Sequence, residues 1–238
     1  MKLKRINLLL SFVFLIVFST NAIEVNAMNT GFSTEELSEE TKTTFVASIN
    51  VSPLSAEPEK RGVLCFDVNK QGMIVVGQKG SQDEEICVYT SQGEFLYGYT
   101  FNCTQSFGVE WDEQHINIFF IRSDVIISLD SDGNILDIKK VQDTIDNNSY
   151  RNTLLYSTTR TVGNTIYLIR NDMGILNWIA SSYSQIVTID ATGTESIIYD
   201  VNSMQLTKMI VTIGLICVFV LVAIAVVFLQ FIKLRRGN

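Results

Sequence analysis

The sequence predicts an all-β ectodomain of antiparallel repeats, held to a membrane by one C-terminal helix. Three observations predict it. A predominantly apolar run 24 residues long lies near the C-terminus, the N-terminus is basic and then apolar, and between them a strand pattern recurs with a glycine at a fixed place.

The C-terminal run, Met209 to Ile232, holds 17 Ile, Leu, Val or Phe residues. As a helix it spans about 36 Å, enough to cross a bilayer with some tilt. Those side chains favour insertion by about 5–10 kcal/mol. Many are β-branched, yet in lipid the backbone must satisfy its own hydrogen bonds, so helix is the expected state. Lys233, Arg235 and Arg236 follow as the basic flank that stays cytoplasmic, which makes residues 233–238 a short basic tail. The stretch Asp200 to Lys208 has no Pro and no Leu-Pro-x-Thr-Gly motif, so the helix is expected to remain as a permanent anchor rather than a cell-wall sorting signal.

At the other end, Met1-Lys2-Leu3-Lys4-Arg5 precedes an apolar run from Ile6 to Phe18. A charged head, a short apolar segment and a small-residue exit at Ala22 or Ala27 make residues 1–27 a secretory signal peptide. Its 13 residues, broken only by Asn7 and Ser11, cover about 20 Å as a helix, short of a hydrocarbon core of about 30 Å. An uncleaved anchor is the alternative, and either way the chain that follows is exported. The expected location is the cell membrane, single-pass, with the bulk of the chain extracytoplasmic.

Residues 28–208 carry 12 Lys and Arg against 24 Asp and Glu. So acidic a surface argues against nucleic acid and anionic lipid headgroups as partners, because both want basic patches. Cys65, Cys87 and Cys103 lie in this region and Cys217 in the apolar run. Buried free thiols and one disulfide with a thiol left over are both open for the outer three.

Residues 28–42 are polar and acidic and read as a flexible arm, with a capping box at Ser33 and Glu36 as its one helical feature. Residues 43–203 read as the β-repeat domain. Thr43 to Val51 is β-rich, and Ser52 to Arg61, with both prolines of the chain, is a loop.

From Gly62 the chain repeats. The first unit runs Gly72-Met-Ile-Val-Val76, a loop, then Ile86-Cys-Val-Tyr-Thr-Ser-Gln-Gly93-Glu-Phe-Leu-Tyr97. The second has His115 to Phe120, then Val125-Ile-Ile-Ser-Leu-Asp-Ser-Asp-Gly133-Asn-Ile-Leu-Asp137. The third has Asn164 to Ile169, then Gln185-Ile-Val-Thr-Ile-Asp-Ala-Thr-Gly193 to Ile198. A further strand is expected before each, at Val63–Val68, Phe107–Trp111 and Thr153–Thr159. Insertions are expected at Asp143–Arg151 and Gly174–Ser184. Four short strands per roughly 40 residues is the size of a propeller blade.

These units resemble NHL-type β-propeller repeats over residues 62–200, though the proline usual near each unit's start is missing. The resemblance implies antiparallel four-stranded blades. Closed propellers normally need at least four, so the expectation is an open propeller-like arc or a ring completed by a second copy of the chain.

Candidate sites are few. Asp130-Ser-Asp-Gly-Asn134 looks like part of a calcium loop, but Ser128 and Lys139 stand where that loop needs acids, so a hairpin turn with glycine at positive φ is the better account. Arg122 with Asp124, and Arg170 with Asp172, occupy equivalent places after the second strand of units two and three. They are pairs that satisfy a tight connection, or rim pairs that recognise a carboxylate-bearing ligand by bidentate contact. His115 is the one histidine and no Cys-x-x-Cys occurs, so neither a metal site nor a cofactor is expected. No Gly-x-Ser-x-Gly is present to suit a nucleophilic serine. The leading expectation is a non-enzymatic binding or interaction module of unknown ligand, with the membrane, a protein partner or a homodimer as its associations. An extracytoplasmic hydrolase or lyase using carboxylates is the alternative.

Overall fold

The computed structural model describes residues 28–236, so the N-terminal segment read as a signal peptide lies outside the described residues. Among the described residues fourteen strands form three antiparallel sheets.

The first sheet contains β3 (Val63–Val68), β4 (Ile74–Lys79), β5 (Glu84–Tyr89) and β6 (Phe95–Phe101), edged by the two-residue strand β2 (Ser52–Pro53). In the second, β7 (Phe107–Asp112), β8 (His115–Phe120), β9 (Val125–Leu129) and β10 (Ile135–Val141) are edged by β1 (Thr34–Glu36). The third comprises β11 (Thr159–Val162), β12 (Thr165–Arg170), β13 (Gln185–Ile189) and β14 (Glu195–Asp200). Each sheet therefore contains one four-stranded up-and-down unit, as the repeats predict.

The repetition extends to the turns. Gly93, Gly133 and Gly193 have φ of 84°, 86° and 83°, a region that favours glycine. In each turn one side-chain oxygen closes the loop. Thr90 Oγ1 accepts from the amides of Gln92 and Glu94, Asp130 Oδ1 from Asp132 and Asn134, and Asp190 Oδ1 from Thr192 and Thr194. The Asp130 carboxylate is thus engaged within its own turn, by two backbone amides and the Asn134 side chain. A bulge follows each glycine, skipping Leu96, Leu136 and Ile198 from the ladder.

The sheets stack face to face with the first in the middle. One face of it, including Cys65, Val75, Val88 and Phe101, packs on Val109, Ile118 and Ile127 of the second. Its other face, with Phe66, Val76, Cys87 and Tyr89, packs on Tyr167, Ile169, Ile186 and Tyr199 of the third. Strand β3 touches both β7 and β11, so the opening strands of the three units gather together. Among the described residues the sheets close into neither a barrel nor a ring.

Three segments depart from expectation. Residues 28–42 are no free arm: Phe32 is buried beside Phe119, and β1 pairs with β10. There Glu35 meets Lys140, and Glu36 meets Lys139 and Lys42. Thr43–Val51 is not a strand. It lies largely in helix α1 (Glu39–Ile49), which begins where Ser38 Oγ accepts from the Thr41 amide and ends at Asn50 with φ 43°. Its β-branched residues lower helix propensity, but Phe45, Val46 and Ile49 pack on the core between the first two sheets, and tertiary contact prevails. Thr153–Thr159 is mainly the end of helix α2 (Ile145–Tyr156), capped by Thr144, so the third unit's first strand begins only at Thr159. Helix α2 covers the outer face of the second sheet with Leu154 and Tyr150.

Helix α3 (Asn202–Arg236) follows β14 after Val201 alone. Its segment Asn202–Gln230 is long and apolar enough to cross a membrane, and none of its most apolar stretch is buried against the β domain.

Candidate functional site

The four residues expected on a ligand-binding rim are not two Arg–Asp pairs. Asp124, at φ 52° in the β8–β9 turn, accepts from the Arg151 guanidinium at 2.6 Å and so fastens α2 to the second sheet. Arg122 lies in the same turn, its amide held by Gln105 Oε1, and forms no ion pair among the described residues. Arg170 reaches Glu195 at 2.9 Å across the outer face of the third sheet. Asp172 is exposed, and it is its backbone that is used: the carbonyl accepts from Asn202 Nδ2 at 2.6 Å. The two turns belong to sheets on opposite faces of the first sheet.

A buried polar cluster occupies the outer face of the second sheet. Glu110 accepts from Asn117 Nδ2 at 3.1 Å through one oxygen and from the Tyr150 hydroxyl through the other. Burial pushes the Glu110 carboxyl above the usual carboxylate range, against the lowering effect of its hydrogen bonds. Asn117 also donates to the Asn29 carbonyl, and the Asn29 amide donates to Asp112 at 2.8 Å. Asn147 completes the seal, its side chain accepting from Ser33 N–H and donating to Ser33 O, both at 2.8 Å. The cluster secures the N-terminal segment under α2.

The open site is at the root of α3. Asn202 and Gln205 stitch the helix's first turn to the β12–β13 connection of the third sheet: Asn202 Oδ1 accepts from Ser184 Oγ at 3.0 Å, and Gln205 Nε2 donates to Ser182 Oγ at 3.1 Å. Between this turn, the end of β4 and the 3-10 turn Gly174–Ile179 lies an open cleft of about 520 Å³. Three of its fourteen lining residues, Arg61, Lys79 and Lys208, are cationic and none is acidic. Arg61 is half-engaged: its guanidinium donates to the Gly80 carbonyl at 2.7 Å and meets Glu59 at 3.2 Å. Lys79 and Lys208 have no ion-pair partner among the described residues.

Sequence reasoning missed this cleft because its cations lie 18 and 129 positions apart from one another along the chain. One signal pointed there: Lys208 is the last charge before the apolar run. Among the described residues no group of three or more His, Cys, Asp or Glu is placed to hold a metal ion. No protein-family model matches this chain, and no curated protein is similar to it.

Proposed function

We propose that this chain is a single-pass, membrane-anchored, extracytoplasmic binding module that presents an open propeller-like arc of three β units directly at the bilayer surface. One observation carries the reading: an apolar helix with an exposed circumference grows out of the third sheet without a linker and is hydrogen-bonded to it through Asn202 and Gln205. Such a surface is stable only in lipid, and the stitching leaves the β module no room to swing away. The basic, then apolar, N-terminus and the basic flank after the helix support export of the β module with the tail inside.

Binding rather than chemistry is favoured by what the surface offers. Among the described residues no helix covers the outer face of the third sheet, which exposes Ile166 and Ile197 beside the Arg170–Glu195 pair, a mix suited to a protein partner. Glu110, the buried acid on which the carboxylate alternative would draw, is enclosed beneath α2.

The test is topology. The full chain would be expressed with one epitope inserted in the exposed Gly174–Ile179 turn and another after residue 238. The reading expects resistance to alkaline extraction, cleavage of the first epitope by protease added outside cells, and protection of the second. Release by alkali, or the reverse protection pattern, would refute it.

A further inference from the structure

Lys208 fixes the depth of the cleft at the root of α3. Between Lys208 and Lys233 lie 24 residues without a charge. They span about 36 Å of helix, against a hydrocarbon core of about 30 Å. Lys208 therefore stands at headgroup level when the helix crosses. Met204, Gln205, Lys208 and Met209, which follow one another on one helix face, form a wall of the cleft, so the cleft opens at that same level.

The cleft's charge is opposite to that of the domain. Residues 28–208 hold twice as many acids as bases, yet three of those bases converge here with no acid in the lining. Its far wall leads into two of the most exposed large apolar side chains of the β domain. Ile175 and Trp178 are 86% and 84% exposed and sit in the turn that ends at Ile179, itself part of the lining. An exposed Trp beside cations at headgroup depth is the composition of a membrane-interface belt.

We infer that the Arg61–Lys79–Lys208 cleft is a phospholipid seat, in which the cations take the phosphate of an anionic lipid from the surrounding leaflet while Ile175 and Trp178 dip into the interface. The inference rests on the anchoring proposed above and goes beyond it. The seat would fix the tilt of the β module on the bilayer, and with it the direction in which the third sheet faces.

The experiment uses the full chain in vesicles of phosphatidylcholine with and without phosphatidylglycerol. Flotation with the vesicles tests anchoring alone, and a chain that fails to float refutes that reading before the seat is examined. For chains that float, native mass spectrometry after mild detergent extraction counts retained phosphatidylglycerol. The wild type is expected to keep it, and Lys79→Gln/Lys208→Gln to lose retention by about tenfold or more, with unchanged flotation. Arg61 is left intact because its backbone and guanidinium also hold the fold. A second reading uses lipids brominated high in the acyl chain. Quenching of Trp fluorescence is expected in the wild type and largely lost in Trp178→Phe, since Trp111 packs on the core between sheets. Equal lipid retention by wild type and variant, quenching that survives Trp178→Phe, or crosslinks from position 179 to a second copy of the chain would each overturn the seat while leaving the anchor standing.

Discussion

Asp67 on β3 and Arg160 on β11 meet at 2.8 Å, and through that contact one carboxylate ties the three sheets together. The other Asp67 oxygen accepts from the Trp111 amide on β7, also at 2.8 Å. Arg160 in turn lies 5.1 Å over the Phe66 ring. Both charged side chains are mostly buried, at 17% exposure, so their loss is felt more than that of a surface pair.

Asp67→Ala leaves the Arg160 guanidinium without its carboxylate, though it keeps backbone carbonyls, and leaves the Trp111 N–H without its acceptor. The expected cost is about 2–4 kcal/mol, read as a lower unfolding midpoint of the full chain in detergent. Asp67→Asn, which keeps an acceptor but not the charge, should cost less. A loss below about 0.5 kcal/mol for Asp67→Ala, the ordinary scatter of surface substitutions, would mean that the sheets are held by apolar stacking alone.

Glu110 makes stability depend on pH. Because burial raises its carboxyl above the ordinary 4.5, the folded state holds this proton more tightly than the unfolded chain does. Its favourable contribution is fully present below about pH 4.5 and is lost as pH rises through the folded-state value. Glu84 is also raised by desolvation and acts in the same direction. The informative quantity is therefore the difference between the wild type and Glu110→Gln in melts from acid to neutral pH. Wild-type stability should fall relative to the variant as pH rises above that limit. Parallel curves would show that Glu110 titrates as it does in the unfolded chain.

How much of this was legible in the sequence follows the range of the forces involved. The turn glycines and the strand alternation are local, and β3 to β10 lie where the repeated pattern puts them. Helix α1 was not legible, because Thr43, Thr44, Val46 and Ile49 favour strands by local preference. The Ser38 cap and the docking of Phe45 against Phe120 decide otherwise. Helix α2 was hidden for the same reason, since Tyr150 and Arg151 find their partners on the second sheet. The Arg122, Asp124, Arg170 and Asp172 pattern was real as a repeat. Spacing could not reveal that Asp124 pairs with Arg151 and Arg170 with Glu195. The middle place of the first sheet depends on contacts between β3 and β11, some 90 residues apart, and no local signal carries it.

The three turn glycines share one backbone conformation but not one environment, and that orders their substitutions. A Cβ at Gly193 meets nothing within 4 Å, so Gly193→Ala should cost only the positive-φ strain, about 1 kcal/mol. At Gly133 the new carbon would approach the Tyr99 ring to 3.1 Å, and at Gly93 it would come within 2.5 Å of the Ile198 carbonyl oxygen. The predicted order of destabilisation is Gly193→Ala, then Gly133→Ala, then Gly93→Ala. Thermal melts of the three variants check it. Equal losses would mean that the turn conformation alone sets the cost and that the third sheet yields freely at Ile198.

The thiols give a last check on the stacking. Cys65 faces the second sheet and Cys87 the third, on opposite sides of the first sheet, and neither is bridged. Burial pushes both up to about 12, so almost no thiolate is present at neutral pH. Cys103 is only half-buried, in the loop after β6, and donates to the Gln105 carbonyl. In membranes, where Cys217 lies within the apolar helix, a membrane-impermeant maleimide should modify one thiol per folded chain. Cys103→Ser should abolish that fast reaction, while Cys65 and Cys87 should react only once denaturant separates the sheets. Electrophoretic mobility should not change with reductant. Fast labelling of Cys65 and Cys87 in the native protein would mean that the first sheet is not the middle of the stack. Since each thiol reports on a different sheet contact, labelling of one alone would identify which contact opens.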